Sequence, residues 1–290
     1  MNVNIEMDLT REEIIKLTQQ KKQQLDFTGL NLIGINLSGI NLSKADFSNT
    51  NLAKANLSET NLTGGRLFRA VLKGAKLSKA NFSKADLWKA DLSEADLSEA
   101  DLRGAKLGFA VLKGAKLSKA NFSKANLFKA DLLRVNAILV NFNEANLFGV
   151  DLRGAFLHFA KFCKTDLKTA NLLGADLNMA NLSEADLLAA RLFRTNLWGA
   201  NLFKANLREA KLFYVDLTIS KAFEANFILA ELNNINFEEA DLRNADLRGA
   251  IVTECNFNKA NFSNVNFSGA DLTGADLTGA DFFCVIKNRL

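Results

Sequence analysis

Residues Ala70–Ala85 read AVLKGAKLSKANFSKA, and the same letters return as Ala110–Ala125. Inside that stretch a shorter period is visible: Leu72, Leu77 and Phe82 stand five residues apart, each with Ala two positions earlier. Carrying the register outward gives 52 slots from Phe27 to Phe282, and 49 of them are Leu or Phe. Ala137, Ala222 and Val252 are the exceptions. The slot just before is Asp or Asn in 39 of the 52, so the consensus is Ala-(Asp/Asn)-(Leu/Phe)-x-x, with a phase that never slips. Such a fixed period marks a repeat architecture rather than an ordinary mixed core.

Neither standard element carries this pattern. On an α-helix five residues advance by roughly 140°, which scatters the Leu side chains around every face. On a continuous strand the side-chain period is two, so every second Leu would face water. The chain therefore turns once per repeat and returns each Leu or Phe, with its small Ala companion, to a common interior. The three remaining positions face solvent. Glycines just after the Leu (Gly74, Gly104, Gly114, Gly174) suit a turn position with φ > 0.

Charges set the size of the coil. Read at every twentieth residue, Lys124, Glu144, Lys164, Glu184, Lys204 and Glu224 alternate in sign, as do Glu59, Lys79, Glu99 and Lys119, and Asp46, Arg66, Asp86 and Lys106. Groups stacked about 4.8 Å apart gain from opposite charge and lose from like charge. A coil of four repeats explains the alternation, although Asp26 over Asp46 and Asp166 over Asp186 break it. Thirteen such coils would make a rod on the order of 60 Å long. Two places strain the register. Ala137 underfills its slot, leaving Val135 and Val140 to close the gap, and at Ala222 either the small residue keeps the core position or Phe223 takes it through a bulge.

These residues resemble the pentapeptide-repeat family, whose consensus is the one above. The resemblance implies an all-β fold, a right-handed quadrilateral β-helix of about 13 coils of 20 residues with a short N-terminal α-helical cap. Handedness and square section come from the resemblance alone. The expected organisation is a capping segment at 1–24 with a helix near 11–23, the β-helix at 25–283, and a tail at 284–290. Thr10-Arg11-Glu12-Glu13 is a capping-box pattern, Ile14, Ile15 and Leu17 supply an apolar side, and Lys16, Lys21 and Lys22 follow. The segment reads as a lid over the first coil or as a partner-binding helix. Phe283, Val285, Ile286 and Leu290 either fold over the last coil or leave that end to meet a second copy, giving a monomer or a dimer through the C-terminal end.

Composition narrows the function. The 36 basic and 32 acidic side chains leave a net charge of +4, too balanced for a dedicated nucleic-acid binder. No signal-peptide pattern opens the chain and no apolar run is long enough to span a membrane. The 3 cysteines suggest a reduced, cytoplasmic protein. His158, the sole histidine, sits in an outward slot, and the Ser and Asp around it are ones that the repeat supplies everywhere, so they mark no catalytic set. The regular Asp array suits turn and lattice roles better than paired acid–base work. Cys163 and Cys284 are outward, Cys255 replaces an inward Ala, and no ligand set for a metal or loop for a phosphate is present, so no cofactor is expected.

Apolar residues in outward slots stand apart from this regularity. One column reads Phe68, Trp88, Gly108-Phe109, Phe128 and Phe148, flanked by Arg69, Lys89 and Lys129, with Arg69 and Lys89 stacking like on like. It is either a structural ladder or an exposed strip that docks a partner. A second group, Phe193, Trp198, Phe203, Phe213, Tyr214 and Phe223, points in several directions and reads as structural stacking. The expected function is thus a non-enzymatic, rod-like scaffold that binds a protein partner, in a regulatory role such as the resemblance to long cyanobacterial members implies. The alternative, also implied by the resemblance, is a DNA mimic that inhibits or protects DNA gyrase. The net charge of +4 weighs against it, and although Asp91, Glu94, Asp96, Glu99 and Asp101 form an acidic stretch, Lys and Arg interleave on most faces.

Overall fold

The computed structural model describes residues 8–20 and 25–282. Lys21, Lys22 and the segment Phe283–Leu290, which includes Cys284, lie outside the described residues. The chain divides into two compact units, Met1–Asn141 and Phe142–Leu290. Each is a β-helix solenoid.

In the first unit, the sequence letters are explained by where the backbone hydrogen bonds go. Around Leu92, the Leu92 N–H donates to Val111 O at 2.7 Å and the Glu94 N–H to Lys113 O at 2.9 Å, both in the next coil. The Asp96 N–H donates to Ala75 O at 2.9 Å in the coil before, and the Ala95 N–H closes the turn on Leu92 O at 3.1 Å. The fifth N–H, of Ser93, donates to the Asp91 carboxylate at 2.9 Å. All five donors of the repeat are satisfied, as buried and turning backbone requires. Asp or Asn before the Leu is therefore an Asx-turn residue, whose side chain completes the backbone hydrogen bonding of the repeat. Isolated parallel bridges link residues 20 apart, such as Asp46↔Arg66 and Arg66↔Asp86. From Phe27 to the end of this unit, Leu, Phe and Ala in the inward slots are buried, except Leu30 in the first coil, which is half-buried.

The position two after the Leu has positive φ at 15 glycines and 36 other residues. Gly74, Gly104, Gly114 and Gly174 behave as the sequence suggests, but Lys, Glu and even Ile219 (φ 49°) adopt the same conformation. The interlocked ladder imposes the turn on residues that would not choose it. At Ala137 the slot stays with Ala137, and Val135 and Val140 are fully buried beside it.

Helix α1, Arg11–Gln19, opens the first unit with its capping box in place: Glu13 N–H donates to Thr10 Oγ1 at 3.3 Å, and Thr10 N–H to Glu13 Oε2 at 2.7 Å. It is capped at Gln20, whose N–H turns back to Leu17 O at 3.2 Å; the expected continuation to residue 23 lies outside the described residues. Ile14 is fully buried, and the Arg11 guanidinium donates to Asn36 O at 2.6 Å and Ser38 O at 3.2 Å in the first coils.

The second unit adds a four-stranded parallel sheet on one face: β1 Arg191–Phe193, β2 Lys211–Phe213, β3 Glu231–Asn233 and β4 Ile251–Thr253, paired in that order. The register runs Arg191↔Lys211, Lys211↔Glu231 and Glu231↔Ile251. None of these four ladder residues is Asp or Asn, so no Asx side chain bends the chain after the Leu, and four successive coils continue extended for a third residue. At Ala222 no bulge forms. Ala222 is fully buried and its N–H donates to Asp241 O at 2.8 Å, while Phe223 stays outside against Phe203 at 4.3 Å between ring centroids. A bulge would break that ladder bond and bury a ring where an Ala-sized space exists.

Some of the alternating charges close into ion pairs, Lys164–Glu184 at 3.7 Å, Lys204–Glu224 at 3.3 Å and Arg66–Asp46 at 3.3 Å, whereas, among the described residues, Glu59, Lys79, Glu99 and Lys119 stack without one. Asp166 over Asp186 is reconciled by Lys168, whose ammonium lies 3.3 Å from one carboxylate and 3.2 Å from the other. Hydrogen bonds to Asp186 and then Asp166 hold that lysine above its usual pKa.

Candidate functional site

On one face of the first unit the bridges Arg66↔Asp86, Asp86↔Lys106 and Lys106↔Asn126 bring four repeats into register. Each repeat presents two outward positions after its Leu. The first carries Phe68, Trp88, Gly108 and Phe128; the second carries Arg69, Lys89, Phe109 and Lys129, all with positive φ. Backbone bonds fix the spacing, with Arg69 N–H donating to Trp88 O at 3.0 Å, Lys89 N–H to Gly108 O at 3.0 Å and Phe109 N–H to Phe128 O at 2.9 Å.

The rings interlock. The Trp88 indole lies across Gly108, where any Cβ would overlap it, and so reaches Phe109 edge-on with centroids 5.4 Å apart. Phe109 meets Phe128 in the same manner, also at 5.4 Å. Phe68, Trp88 and Phe128 are half-buried by this packing, whereas Phe109 remains 40% exposed. The cations lie against the rings: Arg69 is 5.2 Å from Phe68, Lys89 6.0 Å from Phe109 and Lys129 5.4 Å from Phe128. Arg66 pairs with Asp46 at 3.3 Å. Among the described residues no carboxylate lies within ion-pair distance of Arg69, Lys89 or Lys129. These four repeats carry five cations (Arg66, Arg69, Lys89, Lys106, Lys129) against one carboxylate, Asp86, and the Asp46 of the preceding coil is taken up by Arg66.

Seven of the eight residues that the sequence singles out are thus brought together. Phe148 belongs to the second unit, where it is half-buried and its N–H donates to Asn146 Oδ1 at 3.0 Å. The second aromatic group pairs across coils, as Phe193–Phe213 does at 4.8 Å and 7° between planes. His158 Nε2 contacts Asp176 Oδ2 at 2.6 Å, and the other Asp176 oxygen accepts from the Asn178 N–H at 3.2 Å and Asn196 Nδ2 at 3.0 Å, a clasp between coils. Cys255 is buried in its Ala slot, and burial pushes its thiol up to about 11. Among the described residues no His, Cys, Asp or Glu cluster could hold a metal ion, and no helix is long and apolar enough to cross a membrane.

Sequence reading missed one patch in the second unit. Phe156 (53% exposed), Phe159 (49%), Met179 (44%), Trp198 (38%) and Ile219 (36%) share one face, with Met179 folded over Gly199. The signal was available at lag 20: Phe159, Met179, Gly199 and Ile219 are four uncharged residues in succession, in a position that elsewhere often carries Lys or Glu.

With the geometry established, the chain can be placed among known proteins. A family profile described as pentapeptide repeats (8 copies) matches residues 26–64, 66–104, 95–133, 105–143, 141–178, 153–187, 190–218, 223–258 and 252–282. HetL, a pentapeptide repeat protein involved in heterocyst differentiation regulation from the cyanobacterium Nostoc sp. strain PCC 7120, is 32% identical. The match covers 94% of this chain and 96% of that one, with a TM-score of 0.32. A pentapeptide repeat protein from the Arabidopsis thaliana thylakoid lumen is 34% identical over 34% of this chain and 68% of its own, with a TM-score of 0.33. QnrB1, a plasmid-mediated fluoroquinolone resistance protein, is 20% identical over 77% of this chain and 89% of its own, with a TM-score of 0.29. No curated protein sequence matches significantly.

Proposed function

The chain belongs to the pentapeptide-repeat family, and from that premise we propose that it is a non-enzymatic scaffold that binds a protein partner through the aromatic and basic face of its first unit. The observation that carries this reading is the set Arg69, Lys89 and Lys129. They lie without ion pairs beside the Trp88–Phe109–Phe128 ladder, in a protein whose other stacked charges largely alternate. Solenoid stability alone does not ask for unneutralised cations in one column, and a partner would supply what they lack. Phe148 is a further candidate contact on its own unit. A non-catalytic role is supported by the occupation of the carboxylates: Asp91, Asp96 and Asp101 each accept the N–H two residues on, and Asp176 holds His158.

The same reading assigns right-handed winding, about 13 coils of 20 residues and a capping role for α1 over the first coil, supported by the Arg11 bonds to Asn36 and Ser38. The free thiols Cys163 and Cys255 fit a reducing, cytoplasmic setting. Self-association would use the C-terminal end, where Phe282 is 42% exposed.

The test is affinity capture from the native cell with wild type and a Phe68→Ser/Phe109→Ser/Phe128→Ser variant side by side. Loss of a specific partner at a thermal midpoint within a few degrees of wild type is the expected result. Capture unchanged by the variant, or a variant that no longer folds, assigns the ladder to structure instead.

A further inference from the structure

The geometry points to an acidic amphipathic α-helix as the occupant of the first unit's aromatic and basic face, an inference that rests on reading that face as a partner-binding surface. Charge sets the sign of the partner. Arg69 and Lys89 are one coil apart, so their like charges oppose each other at close range. Elsewhere Lys164 has Glu184, Lys204 has Glu224 and Lys259 has Glu239 at 3.2 Å. A partner that sets carboxylates against Arg69, Lys89 and Lys129 removes the repulsion and gains charge-assisted hydrogen bonds.

Spacing sets the shape. Successive coils lie about 4.8 Å apart, which puts Arg69, Lys89, Phe109 and Lys129 at roughly 0, 5, 10 and 14 Å along the column. Residues i, i+3, i+7 and i+10 of a helix fall at roughly 0, 4.5, 10.5 and 15 Å on one side of it. Carboxylates at i, i+3 and i+10 would meet the three cations, and an apolar residue at i+7 would meet Phe109, which is the exposed ring of the ladder. An extended strand offers same-side residues roughly every 6.6 Å and loses register after one step. Single-stranded nucleic acid also combines charge with stacking, but it needs open ring faces. Here Trp88, Phe109 and Phe128 stand edge to face with one another, at interplanar angles of 69° and 77°, so they present no parallel series of ring faces on which successive bases could stack.

The experiment measures fluorescence anisotropy of labelled probes on the full chain. The probes are a stapled helical peptide with Glu at i, i+3 and i+10 and Leu at i+7, a stapled peptide of the same composition with those positions shuffled, its Lys-for-Glu counterpart, and an oligo-dT strand. The first peptide is expected to bind most tightly, to weaken as NaCl rises, and to lose at least tenfold in affinity for Arg69→Glu/Lys89→Glu/Lys129→Glu. The equally charged control Lys54→Glu/Lys84→Glu/Lys113→Glu should bind it within twofold of wild type. The inference is overturned if the shuffled peptide or the oligonucleotide binds as tightly, or if both triple variants weaken binding alike. Failure here with partner capture still lost in the Phe68→Ser/Phe109→Ser/Phe128→Ser variant overturns the helix alone; failure of both overturns the face.

Discussion

Thr60 and Ser220 occupy the same inward slot of the repeat and are served differently. The Thr60 hydroxyl donates to Leu37 O at 2.8 Å in the coil before, and Thr50, Thr165 and Thr195 do the same to Phe27, Phe142 and Leu172. The Ser220 hydroxyl is equally buried and has no hydrogen-bond partner. A buried, unmade hydrogen bond costs on the order of 1–3 kcal/mol, while a made one contributes about 1 kcal/mol net. Thr60→Val should therefore destabilise by about 1 kcal/mol, and Ser220→Ala should be neutral or stabilising by a similar amount. Denaturant unfolding of the two variants checks the sign of each; a clear loss of stability in Ser220→Ala refutes the account. At this scale the sequence could name the inward polar residues, but not which of them finds a carbonyl.

The element that matters is the five-residue turn, and its Asx side chain makes it sensitive to acid. The Thr273 hydroxyl and N–H hold Asp271 below its ordinary 3.8, and Thr278 does the same for Asp276. For Asp241 the Arg243 side chain is the leading cause. A lowered folded-state pKa means that the unfolded chain takes up protons first as pH falls. The stabilisation is complete above 3.8 and is lost as pH drops through the lower folded values. Asn accepts the same turn bond, as Asn81 does from Ser83 at 2.9 Å. Asp271→Asn/Asp276→Asn should keep the thermal midpoint at neutral pH and flatten its decline below about pH 4. An unchanged acid profile would show that these turns carry no proton linkage. The turn was legible because Asp or Asn precedes most Leu slots. The sheet β1–β4 was not read from the sequence, although its signal is there in Arg191, Lys211, Glu231 and Ile251, four ladder residues in succession at lag 20 that are neither Asp nor Asn.

For the molecule as a whole, net charge favours the scaffold reading over the DNA mimic. At +4 the chain lacks the strong net negative charge of duplex DNA, and Arg103, Arg153, Arg243 and Arg248 pair with carboxylates two residues away at 2.6–2.7 Å. A gyrase supercoiling assay is expected to run undisturbed at micromolar protein. Inhibition there would favour the DNA-mimic reading over the scaffold.

The sequence by itself determined the solenoid, the 20-residue coil and the identity of the inward residues, because a five-residue period leaves the chain one way to bury every Leu. The tertiary structure decided what the period cannot encode. It placed Trp88 across Gly108 and made Phe109 the open member of the ladder. It kept Ala222 in the core and gathered Phe156, Phe159, Met179, Trp198 and Ile219 on one face. Those outcomes depend on contacts between residues about 20 apart, where side-chain volume and direction, not the repeat, settle which groups meet.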